Sequence, residues 1–231
     1  MRDKRANSAI AARPAPAAAG SLRVTEIFHS LQGETSRAGL PTAFVRLTGC
    51  PLRCGYCDTA YAFSGGNTLD FDAIFAAVAA CGTPYVTVTG GEPLAQKACI
   101  ALLRELCERG YSVSLETSGA IDVSAVDVRV SKILDIKTPA SGEAERNLWG
   151  NLAHLTPHDE IKFVICNEDD YMWAKQQLAA RSLAALCPLL FSPSYRDLPA
   201  AQLAAWILRD RLPVRFQLQL HKQLWGERPG V

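Results

Sequence analysis

The 231-residue sequence contains no apolar run that reaches the ~18–20 residues needed to cross a bilayer as a helix. Its formal net charge is only +1, so the whole molecule has no strong field to attract nucleic acid or acidic substrates. Residues 1–20 also lack the apolar segment of a secretory signal. These absences predict a protein with no membrane partner and no nucleic-acid partner.

Residues 1–20 are instead rich in Ala, Pro and Arg, with four basic residues and one acidic residue. This composition predicts a disordered leader, because it offers too little apolar surface to offset the entropy of ordering the chain. Residues 21–231 are predicted to form a single domain, since 48% of the chain is hydrophobic and a sizeable core can form.

Eight cysteines are present, and five of them lie apart from one another in apolar surroundings: Cys81, Cys99, Cys107, Cys166 and Cys187. Separate thiols of this kind are typical of buried side chains in a reducing compartment. They predict a cytoplasmic location.

Apolar runs of strand length alternate with segments of helical periodicity. Strands are predicted over residues 23–28, 43–48, 85–89, 112–116, 132–136, 160–165, 189–191 and 214–220, and helices over residues 69–81, 95–108, 168–181 and 199–212. This alternation predicts an α/β fold with parallel strands. Because a complete barrel needs ~250 residues, we expect a partial (β/α) barrel of about six mainly parallel strands, with its active site at the carboxyl ends of the strands. Weak crossovers such as residues 122–130 are expected to be loops.

The remaining three cysteines form the pattern Cys-x3-Cys-x2-Cys at Cys50, Cys54 and Cys57, directly after a predicted strand. A structural zinc site uses four protein ligands, whereas a 4Fe–4S cluster held by three cysteines leaves one iron free to bind a small molecule. The count of three favours the cluster. A zinc knuckle completed by a distant His or Cys, or three thiols that merely pack, are the alternatives.

Polar residues follow several predicted strands. The segment Thr89-Gly90-Gly91-Glu92-Pro93 ends one strand, and its two glycines allow the backbone to approach a ligand closely. Other strand ends carry Glu116 and Ser118, Asp135 and Lys137, and Ser192. We expect these side chains to line a common cleft. A strand-end turn at Ser118 and a salt bridge between Asp135 and Lys137 are equally compatible with the pattern.

Before the cysteine segment, Gln32 and Glu34 flank Gly33. A carboxylate accepts two N–H bonds and an amide both donates and accepts, so this loop suits a guanidine-like edge such as that of a pterin. Arg46 offers a fork for a substrate carboxylate, and Thr59 offers a hard oxygen ligand for Mg²⁺. Taken singly, an exposed loop, a surface arginine and a capping threonine are simpler interpretations.

The cysteine spacing, with Tyr56 before the last thiol, resembles the signature of the radical S-adenosylmethionine (SAM) superfamily. The wider set of motifs resembles the 7-carboxy-7-deazaguanine synthase family of the queuosine pathway, over about residues 22–226. The motifs are residues 30–34, Arg46, the cysteine segment with Asp58 and Thr59, and residues 89–93, 135–139 and 219–226.

The resemblance implies a lyase that converts 6-carboxy-5,6,7,8-tetrahydropterin to 7-carboxy-7-deazaguanine with loss of ammonia. It implies a 4Fe–4S cluster on Cys50, Cys54 and Cys57, and Mg²⁺ on Thr59. The SAM-binding residues it implies are Tyr56, Cys57, Asp58, Gly91, Glu92, Glu116, Ser118, Asp135, Lys137 and Ser192. The pterin-binding residues are Leu31, Gln32, Gly33, Glu34, Arg46, Thr89 and His221. An external one-electron donor, flavodoxin or ferredoxin, and a homodimer are also implied.

Two alternatives stay open. A glycyl-radical-enzyme activase has the same cysteine spacing but acts on a protein, whereas the Gln32–Glu34 loop with Arg46 favours a small polar acid. A non-enzymatic zinc or iron–sulfur module requires a fourth protein ligand and leaves the Gly90-Gly91-Glu92 segment unexplained.

Overall fold

The computed structural model describes residues 20–226, 228 and 230, so the leader expected at residues 1–20 lies, apart from Gly20, outside the described residues. The strands are β1 (Ser21–Leu31), β2 (Pro41–Leu47), β3 (Asn67–Asp70), β4 (Tyr85–Gly90), β5 (Ser112–Thr117), β6 (Ser131–Ile136), β7 (Glu160–Ile165), β8 (Leu189–Pro193) and β9 (Arg215–Phe216). The helices are α1 (Phe71–Ala80), α2 (Cys99–Glu108), α3 (Glu168–Ala180), α4 (Ala200–Asp210) and α5 (Leu220–Trp225). The prediction of one domain over residues 21–231 stays a prediction.

Across the described residues, all nine strands join one sheet in the order β3-β1-β2-β4-β5-β6-β7-β8-β9. From β2 to β9 every neighbouring pair is parallel, whereas β1 is antiparallel to both β2 and β3. The parallel strands follow chain order without the reversal that marks a doubly wound sheet. The predicted partial barrel of about six mainly parallel strands is therefore confirmed, with the short β9 beyond it and the antiparallel strands β1 and β3 at the opposite edge.

The two faces of the parallel strands differ in chemistry because successive side chains point to opposite sides. One set of alternate residues belongs to the hydrophobic core that includes side chains of α1 to α4: Val86, Val88, Val113, Leu115, Leu134, Ile136, Ile161, Phe163 and Ile165. The intervening residues are largely polar: Thr87, Thr89, Ser114, Glu116, Asp135 and Lys162. This alternation directs a row of polar side chains toward the inner side of the partial barrel.

Helices α3 and α4 begin within one residue of their predicted positions, and the first correction concerns α1 and α2. Helix α2 begins at Cys99 rather than at residue 95, because Pro93–Ala95 forms a separate 3-10 turn. The segment Asn67–Asp70 forms β3, paired with residues 21–24, so the helix predicted from residue 69 begins at Phe71. Gly65 and Gly66, both with positive φ, precede β3, and the Asp70 side chain caps α1 by accepting from Ala73 N at 2.8 Å. No described helix combines the length and apolarity that a membrane crossing requires.

The carboxyl-terminal part contains the second correction. The strand predicted over residues 214–220 is limited to Arg215–Phe216, and Leu220–Trp225 forms the short helix α5. The segment after β9 turns toward the loop after β1, where Leu220 N donates to the Gly33 carbonyl at 2.9 Å. A sequence without clear apolar periodicity thus becomes helical through a tertiary contact.

Candidate active site

A cavity of about 250 Å³ lies at the carboxyl ends of the parallel strands. Its wall is built from the loop after β1, the cysteine loop after β2, the ends of β4 to β7, and α5. Every predicted site residue lines this cavity except Glu92 and Ser192. The fold therefore brings together motifs that are up to about 190 residues apart in the sequence, from Leu31 to His221.

The three predicted cluster ligands Cys50, Cys54 and Cys57 are free thiols that face this cavity, each partly exposed. Burial raises the pKa of all three, that of Cys54 to about 11, so cluster assembly must displace protons. Among the described residues, no three His, Cys, Asp or Glu side chains converge closely enough to hold a single metal ion. A cluster of four irons is larger than one ion, and three separated thiolates on one wall are the ligand type it requires.

Backbone contacts hold the cysteine loop in place. Cys57 N donates to Cys54 O at 3.1 Å, and Gly55 N donates to Ser141 O at 3.0 Å. Beyond the loop, Asp170 is fully buried and its carboxylate accepts from Ala140 N at 2.9 Å. The cysteine loop therefore rests on a segment that is itself fixed from α3.

Gly90 and Gly91 bring the end of β4 against the same loop. A Cβ on Gly90 would lie 2.2 Å from Leu47 O, and one on Gly91 would lie 2.2 Å from Gly49 O and 2.9 Å from Cys50 Cβ. Gly90 also has a φ of +147°, which side chains disfavour. The two glycines thus allow the cysteine loop to pack closely against the end of β4, and Gly91 also lines the cavity.

Glu92 is fully buried, and its carboxylate is occupied by other groups of the fold. It accepts from Leu94 N at 3.0 Å, from Thr117 Oγ1 at 2.9 Å, and from Ser118 N and Oγ at 2.7 and 2.5 Å. This network fixes the end of β5, where Ser118 lines the cavity. The buried Ser192 hydroxyl has no hydrogen-bond partner among the described residues. For Glu92 and Ser192, direct contact with SAM stays a prediction.

The loop after β1 forms the polar floor of the cavity. Gln32 Nε2 donates to Glu116 Oε1 at 3.3 Å and to Thr87 Oγ1 at 3.1 Å, while Gln32 Oε1 accepts from Glu34 N at 3.2 Å. Thr89 Oγ1 donates to Glu116 Oε2 at 2.8 Å. Burial, reinforced by the nearby charge of Glu34, raises the pKa of Glu116. The arrangement offers donors and acceptors held at fixed positions to a flat polar ligand.

Arg46 extends from β2 into the cavity between aromatic rings. Its Nε donates to Glu26 at 2.7 Å, and its guanidinium lies 5.5 Å from the Phe28 ring and 5.8 Å from the Tyr61 ring. Phe28 stacks on Phe44 at a centroid distance of 4.8 Å. Within the described part of the chain, no hydrogen bond engages the two terminal nitrogens of Arg46, which remain suited to a carboxylate.

Tyr56, Asp135 and Lys137 form a second polar corner beside the thiols. Lys137 Nζ donates to Asp135 Oδ2 at 2.9 Å, so the predicted salt bridge and the predicted lining of a cleft both occur. Burial opposes the charge of Lys137, but Asp135 and Tyr56 outweigh it and raise the lysine pKa well above its usual value. The Tyr56 hydroxyl and Asp135 Oδ1 are buried without a hydrogen-bond partner in the described structure. Charged and unpartnered groups at one corner suit a zwitterion such as the methionine part of SAM.

Helix α5 closes one side of the cavity. A Cβ on Gly33 would lie 2.2 Å from His221 Nδ1, so the glycine makes room for this ring. Burial lowers the pKa of His221, although the charges of Glu34 and Asp58 oppose this effect. Lys222 Nζ lies 2.7 Å from Asp58 Oδ2, which also accepts from Gln219 Nε2 at 3.2 Å. Burial would raise the pKa of Asp58, but Lys222 holds it well below the usual range.

Several cavity residues were not predicted from the sequence, above all Lys162 on β7 and Lys222 on α5. Lys162 follows Ile161 and precedes Phe163, and the alternation of the strand places it on the polar inner face. That alternation was a usable signal for Lys162. Lys222 carried no such alternation, because it lies on the short helix α5, which was not predicted.

Comparison with known proteins agrees with this geometry. The radical SAM superfamily profile matches residues 44–135. The 7-carboxy-7-deazaguanine synthase of Chlorobaculum tepidum is 49% identical over 89% of this chain and 94% of the relative, and that of Koribacter versatilis is 42% identical over 91% and 100%. The crystal structure of QueE from Escherichia coli shares the fold, with a TM-score of 0.72, 22% identity, and coverage of 87% of this chain and 95% of that chain. With this extent of identity over nearly its full length, the chain belongs to the 7-carboxy-7-deazaguanine synthase family of radical SAM enzymes.

Proposed function

We propose that the chain catalyses the radical SAM conversion of 6-carboxy-5,6,7,8-tetrahydropterin to 7-carboxy-7-deazaguanine with release of ammonia. This is a carbon–nitrogen lyase reaction of queuosine biosynthesis. The observation that carries the proposal is the single cavity that contains three free thiols and the Gln32–Glu34 loop. The names of relatives that are 49% and 42% identical support the same activity.

Membership of the radical SAM superfamily implies a 4Fe–4S cluster and SAM. We assign the cluster to Cys50, Cys54 and Cys57, and when bound these two groups supply the one-electron chemistry that abstracts hydrogen from a carbon atom. The residues proposed to hold SAM are Tyr56, Cys57, Asp58, Gly91, Glu116, Ser118, Asp135 and Lys137, with Ser192 behind them. Glu92 is proposed to act by fixing Ser118.

The protein's own contribution is to bind and orient the pterin and to exclude water. Gln32 and Glu34, with Leu31, Gly33 and Thr89, are proposed to bind the pyrimidine edge of the pterin. Arg46 and His221 are proposed to bind at the substrate carboxylate. Helix α5 covers this side of the cavity, which keeps solvent away from a reactive carbon.

Mg²⁺ is proposed to bind at Thr59, where it can stabilise the charge of the substrate carboxylate. The Thr59 hydroxyl lines the cavity and donates to Asp58 Oδ1 at 2.9 Å, so a carboxylate kept ionised by Lys222 lies next to it. Thr59→Val should abolish the Mg²⁺ stimulation of turnover, while Thr59→Ser, which keeps the hydroxyl, should retain it. An unaltered Mg²⁺ response in Thr59→Val would remove Thr59 from the metal site.

The reaction requires a small-molecule substrate and an external reductant. We propose flavodoxin or ferredoxin as the one-electron donor and a homodimer as the assembled form, on the basis of the family. The free state of all eight cysteines supports a reducing, cytoplasmic location.

The direct experiment is anaerobic incubation of the reconstituted protein with SAM, dithionite and the carboxypterin, followed by mass spectrometry. We expect 7-carboxy-7-deazaguanine and ammonia. Cleavage of SAM without any change in the pterin would refute the proposed substrate. It would revive an activase that acts on a protein, a function that the named relatives do not favour.

A further inference from the structure

Lys162 is the one buried lysine of β7, and neither motif nor spacing assigns it a task. Its ammonium group contacts the Glu34 carboxylate, and both side chains are almost entirely buried, with exposures of 11% and 10%. The two residues are separated by 128 positions in the sequence. An ion pair of this kind, inside a ligand cavity, calls for an explanation beyond stability, because burying both charges costs much of what their attraction returns.

The surroundings of Lys162 are strongly acidic. Glu34 from the loop after β1, Asp135 from β6 and Glu116 from β5 all raise its pKa, against the opposing effect of burial. Asp135 already has Lys137 as its partner, and Glu116 accepts from neutral donors. Glu34 is therefore the carboxylate that depends on Lys162.

Glu34 needs this partner because it lies near a second carboxyl group. Burial and the nearby charge of Glu34 raise the pKa of Glu116. Gln32 lies between the two residues, since its Nε2 donates to the Glu116 carboxylate and its Oε1 accepts from the backbone N–H of Glu34. Two carboxylates close together in a buried site repel each other unless a cation lies beside one of them. The contact of Lys162 with Glu34 supplies that cation and holds the Glu34 carboxylate in one orientation.

We propose that Lys162 is a positioning residue that sets the specificity for the pterin by fixing Glu34 as an acceptor-only carboxylate facing the 2-amino and N3–H edge. This inference rests on the proposed function. Lys162 acts through Glu34 and does not itself contact the substrate. The pair thereby selects for a 2-amino pyrimidinone ring over the corresponding 2-oxo ring, whose pattern of donors differs on this edge.

The test measures equilibrium binding and steady-state turnover of the carboxypterin and of its 2-oxo analogue, with the cluster-loaded protein. Lys162→Met should raise the Kd and KM of the carboxypterin roughly 10- to 100-fold, as expected for the loss of a charged hydrogen-bond system. The preference of this variant for the carboxypterin over the 2-oxo analogue should fall by a similar factor. Lys162→Arg keeps the charge and should recover most of the preference.

The decisive comparison is Glu34→Gln against Glu34→Gln/Lys162→Met, which does not depend on the folding of the single lysine variant. If Lys162 acts through Glu34, the two variants should have the same Kd within about twofold. A further loss of tenfold or more in the double variant would show direct contact with substrate and overturn the proposal. The proposal would also be overturned if folded Lys162→Met had the wild-type Kd for the carboxypterin and the wild-type preference over the 2-oxo analogue.

Lys132→Met is the matched control, because it removes another buried lysine from an ion pair, with Asp159 at 3.0 Å, outside the cavity. This variant should keep the wild-type Kd and preference. Failure of the proposed function is recognised separately, since wild-type protein would then leave the carboxypterin unchanged.

Discussion

Replacing Gly91 with alanine would disturb the packing of the cysteine loop directly. The new Cβ would lie 2.2 Å from Gly49 O, 2.6 Å from Gly49 C and 2.9 Å from Cys50 Cβ. No flexible side chain is available to move, because the contacts are with backbone atoms and a Cβ. Glu92 N also donates to Gly49 O at 2.8 Å, so the strained segment is tied to β4.

The magnitude follows from these distances. A carbon–oxygen contact of about 3.3 Å is normal, so Gly49 O must move by about 1 Å, and the adjoining Cys50 must move with it. Overpacking of this kind costs about 1–3 kcal/mol of the free energy of unfolding. A displacement of about 1 Å at a reacting centre also lowers turnover by roughly 100-fold. Gly91→Ala should therefore assemble less cluster and turn over more slowly.

The assay is the iron and sulfide content after anaerobic reconstitution, measured together with thermal unfolding and turnover. Gly150→Ala is the matched control, because a Cβ at Gly150 would meet no atom within 4 Å. A Gly91→Ala protein with full iron content, wild-type turnover and wild-type thermal stability would refute the argument that this glycine seats the cysteine loop.

Two further predictions follow from contacts outside the thiols. Gly33→Ala places a Cβ 2.2 Å from His221 Nδ1 and 3.2 Å from the backbone N of His221. Helix α5 should therefore dock less well, and the KM for the carboxypterin should rise about tenfold. An unchanged KM would show that α5 does not need this close approach. Lys132→Met leaves Asp159 buried without its cation, and denaturant unfolding should show a loss of about 3–5 kcal/mol. Lys175→Met, at a partly exposed pair, should cost no more than about 1 kcal/mol; equal losses in the two lysine variants would contradict the assignment.

The parallel strands were predictable because they are short apolar runs with polar residues at their carboxyl ends. The run in β4, for example, is read directly from Val86 and Val88, and the partial barrel follows from the repeated alternation with helices. By contrast, β3 was missed because Asn67–Asp70 has the composition of a helix start. Asp70 does cap α1, but the same four residues also pair with β1.

The candidate site was predictable where the chemistry lies next to a strand end. Cys50 and Glu116 were predicted in this way, and both line the cavity, while their roles stay predictions. Lys162 was missed: the alternation of β7 indicates its face, but the sequence does not show that this face lies against Glu34. Glu92 shows the converse, since a residue placed in a ligand-binding motif by sequence is engaged with the backbone and hydroxyls of β5. For both Lys162 and Glu92, the partner lies far away in the sequence and is known only from the structure.

A 4Fe–4S cluster held by Cys50, Cys54 and Cys57 is proposed to leave one iron open to SAM. This claim is tested most directly by electron paramagnetic resonance of the anaerobically reconstituted, reduced protein before and after the addition of SAM. We predict about four irons per chain and a spectrum that changes when SAM binds. A chain that holds zinc instead, or a cluster whose spectrum is unchanged at saturating SAM, would contradict the claim.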